Sequence, residues 1–153
     1  MLIRLATAEP LLSKVRELFL EYQVSLGIDL SFQDFEHELL ALPGEYGPPH
    51  GRLYVAFIDE TLGGCIALRP FQDKQCEMKR LYVRPEFRGH KLGRILANKV
   101  IDEARQIGYS QMLLDTLAPM TTAQSLYRSL GFSSIEPYRF NPIKGTVYMK
   151  LEL

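Results

Sequence analysis

Apolar positions along the chain follow two rhythms, and the points where one gives way to the other divide it into elements. Residues 2–6, LIRLA, form a short apolar run that fits an edge strand. Pro10 then opens a helical repeat. Leu11, Val15, Leu18, Phe19, Tyr22 and Leu26 recur at three and four, and Gly27 supplies a stop. Ser31 is a candidate N-cap for a second helix carrying Phe32, Phe35, Leu39 and Leu40. PGEYGPPHG, at 43–51, is a loop by composition.

RLYVAFID (52–59) and CIALRPF (65–71) read as strands joined by ETLGG, a hairpin with glycine turn chemistry. QCEMKRLYV (75–83) is a further strand, stopped by Pro85. From Leu92 the helical spacing returns through Ile95, Leu96, Val100, Ile101, Ala104 and Ile107, and Gly108 fits a C-cap. QMLLDTL (111–117) is a buried strand. Residues 120–130 form a short helix closed by Gly131, and GFSSI and TVYMKLEL supply the last strands. The order β-α-α-β-β-β-α-β-α-β-β predicts a mixed α/β fold. Its central, mostly antiparallel sheet has about seven strands flanked by four helices. The strands on either side of the 92–107 helix should pair in parallel through a right-handed crossover.

Composition narrows the function classes. With 153 residues the chain suits a single domain spanning 1–153. Lys plus Arg and Asp plus Glu both count 18, so no overall charge points to nucleic acid or an anionic membrane, and neither is expected as a partner. The start, MLIRLATAEP, has too short an apolar run for a signal peptide, and no stretch approaches the roughly 18–20 apolar residues of a membrane span. Cys65 and Cys76 form no CxxC, so reduced thiols in the cytoplasm are expected rather than a disulfide framework or zinc site. No pair among His37, His50 and His90 has metal-ligand spacing, and no metal is expected.

Charge is uneven locally. Between Met78 and Lys99 stand seven cations, Lys79, Arg80, Arg84, Arg88, Lys91, Arg94 and Lys99, opposed by Glu86 alone, a net of +6. They bracket a strand end, a glycine loop and a helix start. A helix N-terminus leaves N–H groups unpaired and carries a positive dipole end, and glycine permits close approach of a ligand. Together these features suit a phosphate. GxxxxGK[ST] and GxGxxG are both absent, which sets aside the P-loop and the dinucleotide fold.

What remains is Arg88-Gly89-His90-Lys91-Leu92-Gly93-Arg94. Here the chain resembles the GNAT superfamily of N-acetyltransferases. In that superfamily an Arg/Gln-x-x-Gly-x-Gly/Ala loop holds the pyrophosphate of acetyl-CoA. Arg88 and Gly93 match the ends of that motif, and Lys91 replaces the middle glycine. The resemblance runs over roughly 52–132. Leu81-Tyr82-Val83 looks like the family strand whose backbone, beside a bulge, pairs with the pantetheine arm. Residues 123–132, AQSLYRSLGF, look like its late helix A-x-x-L-Y-x-x-x-G-F, which brings in Ala123. Met120 stands where the family often has an asparagine that contacts CoA.

The resemblance implies acetyl-CoA as cosubstrate and direct transfer to a primary amine of a small molecule or amino acid. Two alternatives stay open: a non-catalytic CoA-binding module, and transfer to a protein amine. Glu77, four residues before Leu81, matches a glutamate that serves as general base in some members, and Asp115 competes for a role at the acceptor. Tyr127 matches the family tyrosine that faces the CoA sulfur as acid. Cys76 would form an acyl-enzyme only if exposed and activated. Tyr46, Tyr138, Phe140, Asn141 and Tyr148 are candidates for the acceptor wall. Glu45, Glu77 and Asp115 would favour a cationic amine. A homodimer is compatible with the family's open sheet edge.

Overall fold

A computed structural model describes residues 1–153, apart from the side chain of Phe32, which lies outside the described residues. Seven strands form one sheet: β1 (Leu2–Leu5), β2 (Arg52–Ile58), β3 (Thr61–Pro70), β4 (Gln75–Val83), β5 (Gln111–Thr116), β6 (Ser133–Ile135) and β7 (Val147–Glu152). Their spatial order is β1-β2-β3-β4-β5-β7-β6. Only β4 and β5 pair in parallel; the other neighbours are antiparallel. The helices are α1 (Leu11–Leu26), α2 (Phe35–Ala41), α3 (Leu92–Ile107) and α4 (Thr121–Ser129). No helix is long and apolar enough to cross a membrane.

Each sheet face has its own core. α3 buries Leu92, Leu96, Ala97, Val100, Ile101 and Ala104, the three-and-four stripe of the sequence, against Ile66, Leu68, Cys76 and Met78. Gly108, at φ 109°, ends it with an N–H bond to Ala104. On the opposite face α1 buries Leu12, Val15, Leu18 and Phe19 against Leu53, Val55 and Ala67.

Two local expectations change. Ser31 caps no α-helix. Residues Ser31–Gln33 make a 3-10 turn, Asp34 adopts a left-handed conformation (φ 56°), and α2 begins only at Phe35, with Leu40 exposed. The hairpin between β2 and β3 turns at Asp59-Glu60, both left-handed (φ 49° and 66°), and not at the glycines. Gly63 and Gly64 lie inside β3 instead. A Cβ on Gly64 would stand 2.6 Å from the Tyr82 carbonyl oxygen, so glycine there lets β3 and β4 close.

A buried ionic cluster ties β3 and β4 to the 136–146 loop. Glu77 has no exposed surface. Its Oε1 accepts from Arg69 Nε and Arg139 Nη2, both at 2.9 Å, and its Oε2 accepts from the Tyr138 hydroxyl at 2.7 Å. Tyr138 packs edge-on against Phe71 and Tyr148, and the Arg139 guanidinium lies over the Phe71 and Tyr138 rings. Burial alone pushes the Glu77 carboxyl up. Lys79, Arg69, Arg139 and the Tyr138 hydroxyl outweigh it and hold the group below its ordinary value.

Glu77→Ala strands two arginines in the interior, and a loss of about 3–5 kcal/mol is expected by denaturant unfolding. The contribution of Glu77 is fully present above the ordinary carboxylate value of 4.5 and is lost as pH falls through the lower folded value. The gap in stability between wild type and variant should therefore shrink steadily below pH 4.5 and stay flat above it.

Candidate active site

β4 carries the site because, where it passes the middle of the sheet, it parts from β5 and breaks register with β3. Its pairing with β5 covers only Gln75 to Glu77, opposite Gln111 to Leu113. Beyond that the strands part, and Met78–Leu81 face Leu114–Leu117 across an inner cavity of about 40 Å³. On the other side the β3–β4 register jumps, with Ala67 opposite Lys79 and Cys65 opposite Tyr82. Arg80 and Leu81 therefore share the place of one residue, and Arg80 is left-handed at φ 59°. This is a β-bulge. It reverses the alternation: Cys76 and Met78 face α3 before it, and Leu81 and Val83 face α3 after it. Lys79 and Arg80 consequently both turn to the α1–α2 side. The bulge was expected only from the family resemblance, and its place is given by the register.

From Leu81 an outer groove of about 520 Å³ runs along β4 to the start of α3. Leu81, Tyr82, Val83, Arg88, Gly89, Lys91, Leu92, Gly93, Arg94 and Ala123 all line it, which brings these expected residues together. His90 is exposed and does not line it. Tyr22 and Ser25 of α1, Phe87, and Thr121 and Thr122 of α4 join the lining; the periodicity marked Tyr22 only as part of a helical stripe, and the sequence held no periodic or charge signal for the others. Gly89 adopts φ 92° and Lys91 φ 61°, which turns the chain sharply into α3. Among the described residues no protein acceptor meets the amides of residues 89–94, so all of them are available to a ligand.

The seven cations separate. Arg80 donates twice to Glu38, at 2.9 and 3.0 Å, and Arg84 is held by Glu17 and Glu21. Lys99 pairs with Glu103. Arg88, Lys91 and Arg94 have no carboxylate partner among the described residues. Arg88 Nε is tied to the Val83 carbonyl and Arg94 Nη2 to the Ser129 hydroxyl. The cations without a carboxylate partner are thus these three, at the groove. The residues fit a diphosphate bearing a long, thin arm: free amides and unpaired cations at one end, an unpaired strand edge along the middle.

The inner cavity shares Tyr22, Leu81 and Met120 with the outer groove, so the two adjoin. Tyr127, Lys79, Asp115 and Asn141 line the inner one. Asn141 Nδ2 donates to Asp115 Oδ2 at 3.3 Å, and Lys79 Nζ stands 3.9 Å from Asp115 Oδ1. Burial holds the proton on the Tyr127 hydroxyl, whose value is raised. Burial and then Arg80 push the Lys79 ammonium down to about 8, against the opposing pull of Glu77 and Asp115. Burial likewise pushes the Cys76 thiol up to about 12, and its side chain is fully enclosed, so it fails both conditions for an acyl-enzyme.

Four expected residues stand elsewhere than their roles require. Glu77 lies beneath this cavity with both oxygens occupied by Arg69, Arg139 and Tyr138, and with no surface it cannot pass a proton to water. Tyr138 spends its hydroxyl on Glu77 and is part of the ionic cluster, not of the acceptor wall. Tyr148 likewise donates to the Arg139 carbonyl, and Tyr46 is buried beneath α2.

The model of the acetyltransferase (GNAT) family matches residues 12–132. An uncharacterised N-acetyltransferase of Schizosaccharomyces pombe is 47% identical over 144 residues, covering 93% of this chain and 88% of that protein. An acetyltransferase from Streptococcus agalactiae superposes with a TM-score of 0.82 at 23% identity, over 99% of this chain and 98% of the other. A Bacillus subtilis acetyltransferase solved in complex with CoA gives 0.72 at 18% identity, over 99% and 97%. The chain belongs to the GNAT family, and is an N-acetyltransferase that uses acetyl-CoA.

Proposed function

We propose that the enzyme moves an acetyl group directly from acetyl-CoA to the primary amine of a small molecule, with amino acids among the acceptors. The observation that supports this is the succession of the unpaired amides at 89–94, the groove along Leu81–Val83, and the adjoining cavity lined by Tyr127 and Asp115. When bound, acetyl-CoA supplies the acetyl carbonyl and a thiolate leaving group.

The protein's part divides among its own groups. The amides of residues 89–94 with Arg88, Lys91 and Arg94 hold the diphosphate. The exposed edge of Leu81–Val83 aligns the arm by main-chain hydrogen bonds, which any side chain tolerates. The Leu81 amide, freed from the ladder by the bulge, polarises the acetyl oxygen. Tyr127 lines the cavity with its proton retained, and gives it to the departing sulfur. Asp115 receives the proton that the amine sheds, held in position by Asn141. Asp115 thereby replaces Glu77 as base. The narrow cavity admits an amine and its nearest substituents, which suits a small acceptor.

Arg88→Ala and Arg94→Ala should each weaken CoA binding about tenfold by calorimetry, and rising salt should weaken it further in the wild type. Tyr127→Phe should lower kcat about a hundredfold in a thiol-release assay, with CoA affinity unchanged. CoA binding without turnover of any amine would leave a binding module in place of an enzyme.

A further inference from the structure

We infer that the acceptor carries a carboxylate beside its amine, as a free amino acid does, with Lys79 and Arg139 taking the carboxylate and Asp115 and Gln33 the amine; this rests on the acetyltransferase function proposed above. The two inner cavities, of about 40 and 70 Å³, share Gln33, Arg80 and Asp115. Lys79 lines one and Arg139 the other, and both flank Glu77.

The hydrogen-bonding ledger of this region is unbalanced. Its carboxylates are spoken for: Glu77 by Arg69, Arg139 and Tyr138, Glu38 by Arg80 through two bonds, and Glu45 by Arg69 at 3.4 Å. Asp115 alone keeps capacity, since Asn141 occupies one oxygen and Lys79 lies at 3.9 Å. Of Glu45, Glu77 and Asp115, expected to draw a cationic amine, only Asp115 lines these cavities.

Two of the spare groups are cationic donors. Lys79 has a side chain 4% exposed, and its ammonium has no hydrogen-bond partner among the described residues. Arg139 Nε is buried without a partner, although its Nη2 is anchored on Glu77. The remaining buried, unpartnered atom in these cavities is an acceptor, Gln33 Oε1. A buried donor left unpaired costs about 1–3 kcal/mol, and more when charged. Two cationic donors and two acceptors turned toward adjoining spaces match a zwitterion. An added carboxylate would also offset, by its charge, the desolvation that lowers the Lys79 ammonium to about 8. The acceptor's side chain would leave past Phe140, which lines the second cavity and is 85% exposed.

Matched acceptors test this, sharing one side chain: the free amino acid, its methyl ester and its decarboxylated amine, each assayed by thiol release with acetyl-CoA. The ester's amine is less basic than that of the free acid and the decarboxylated amine more basic, so intrinsic reactivity cannot favour the acid over both. The free acid should exceed each by about tenfold or more in kcat/KM. Lys79→Met should bring the three within about threefold while CoA affinity stays unchanged. If that variant does not fold, the comparison on the wild type decides alone. Esters or simple amines used as well as the acids would overturn this inference and leave the acetyltransferase standing. No turnover of any of the three, with CoA bound, would overturn the proposed enzyme and this inference with it.

Discussion

The separation of β4 from β5 after Glu77 governs the arrangement of the whole site. Up to that residue the two strands share a parallel ladder; beyond it each has a free edge toward the other. A sheet does not leave backbone groups unpaired without compensation. Here the outer edge of β4 is left for a ligand arm, and the bulge at Arg80-Leu81 removes one more amide from the β3 side. The same bulge sets two consecutive cations on one face. One of them, Arg80, is neutralised by Glu38 and cements α2 to the sheet; the other, Lys79, is left facing the cavity.

The gap stays open because its base is locked. The cluster around Glu77 lies at the last paired residue and joins β3, β4 and the loop before β7 through charge-assisted bonds. A residue expected to do chemistry thus holds the frame on which the chemistry is done. The difference between the roles is burial: a general base must exchange its proton with water, and Glu77 has no surface through which to do so. Asp115, across the gap on β5, lines the cavity, and its side chain keeps 8% exposure.

The fold was legible because its helices are amphipathic and its strands are short and well punctuated. The α3 stripe, Gly27 and Gly108 stand where the periodicity put them. The glycine loop and the strand before it were legible as a candidate site, since charge, glycine and a helix start coincide there, and they line one groove. What was hidden depends on pairing across the sheet. Asp59 and Glu60 turn a hairpin in left-handed conformations that disfavour most residues, so composition pointed to the nearby glycines instead. The run of seven cations looked like one feature, and only their carboxylate partners, contributed by α1, α2 and α3, divide it. Glu77 and Asp115 look alike in sequence; the loop bearing Tyr138, Arg139 and Asn141 distinguishes them, by covering one and supporting the other.

The central claim is that one ligand spans the free amides before α3 and the unpaired edge of β4. Amide hydrogen exchange with and without saturating coenzyme A measures this residue by residue. The account requires slowed exchange at residues 89–94 and at Leu81–Val83 together, with β1 and α2 unchanged. Exchange at 89–94 unaffected by bound coenzyme A, or protection confined to another part of the sheet, would contradict it.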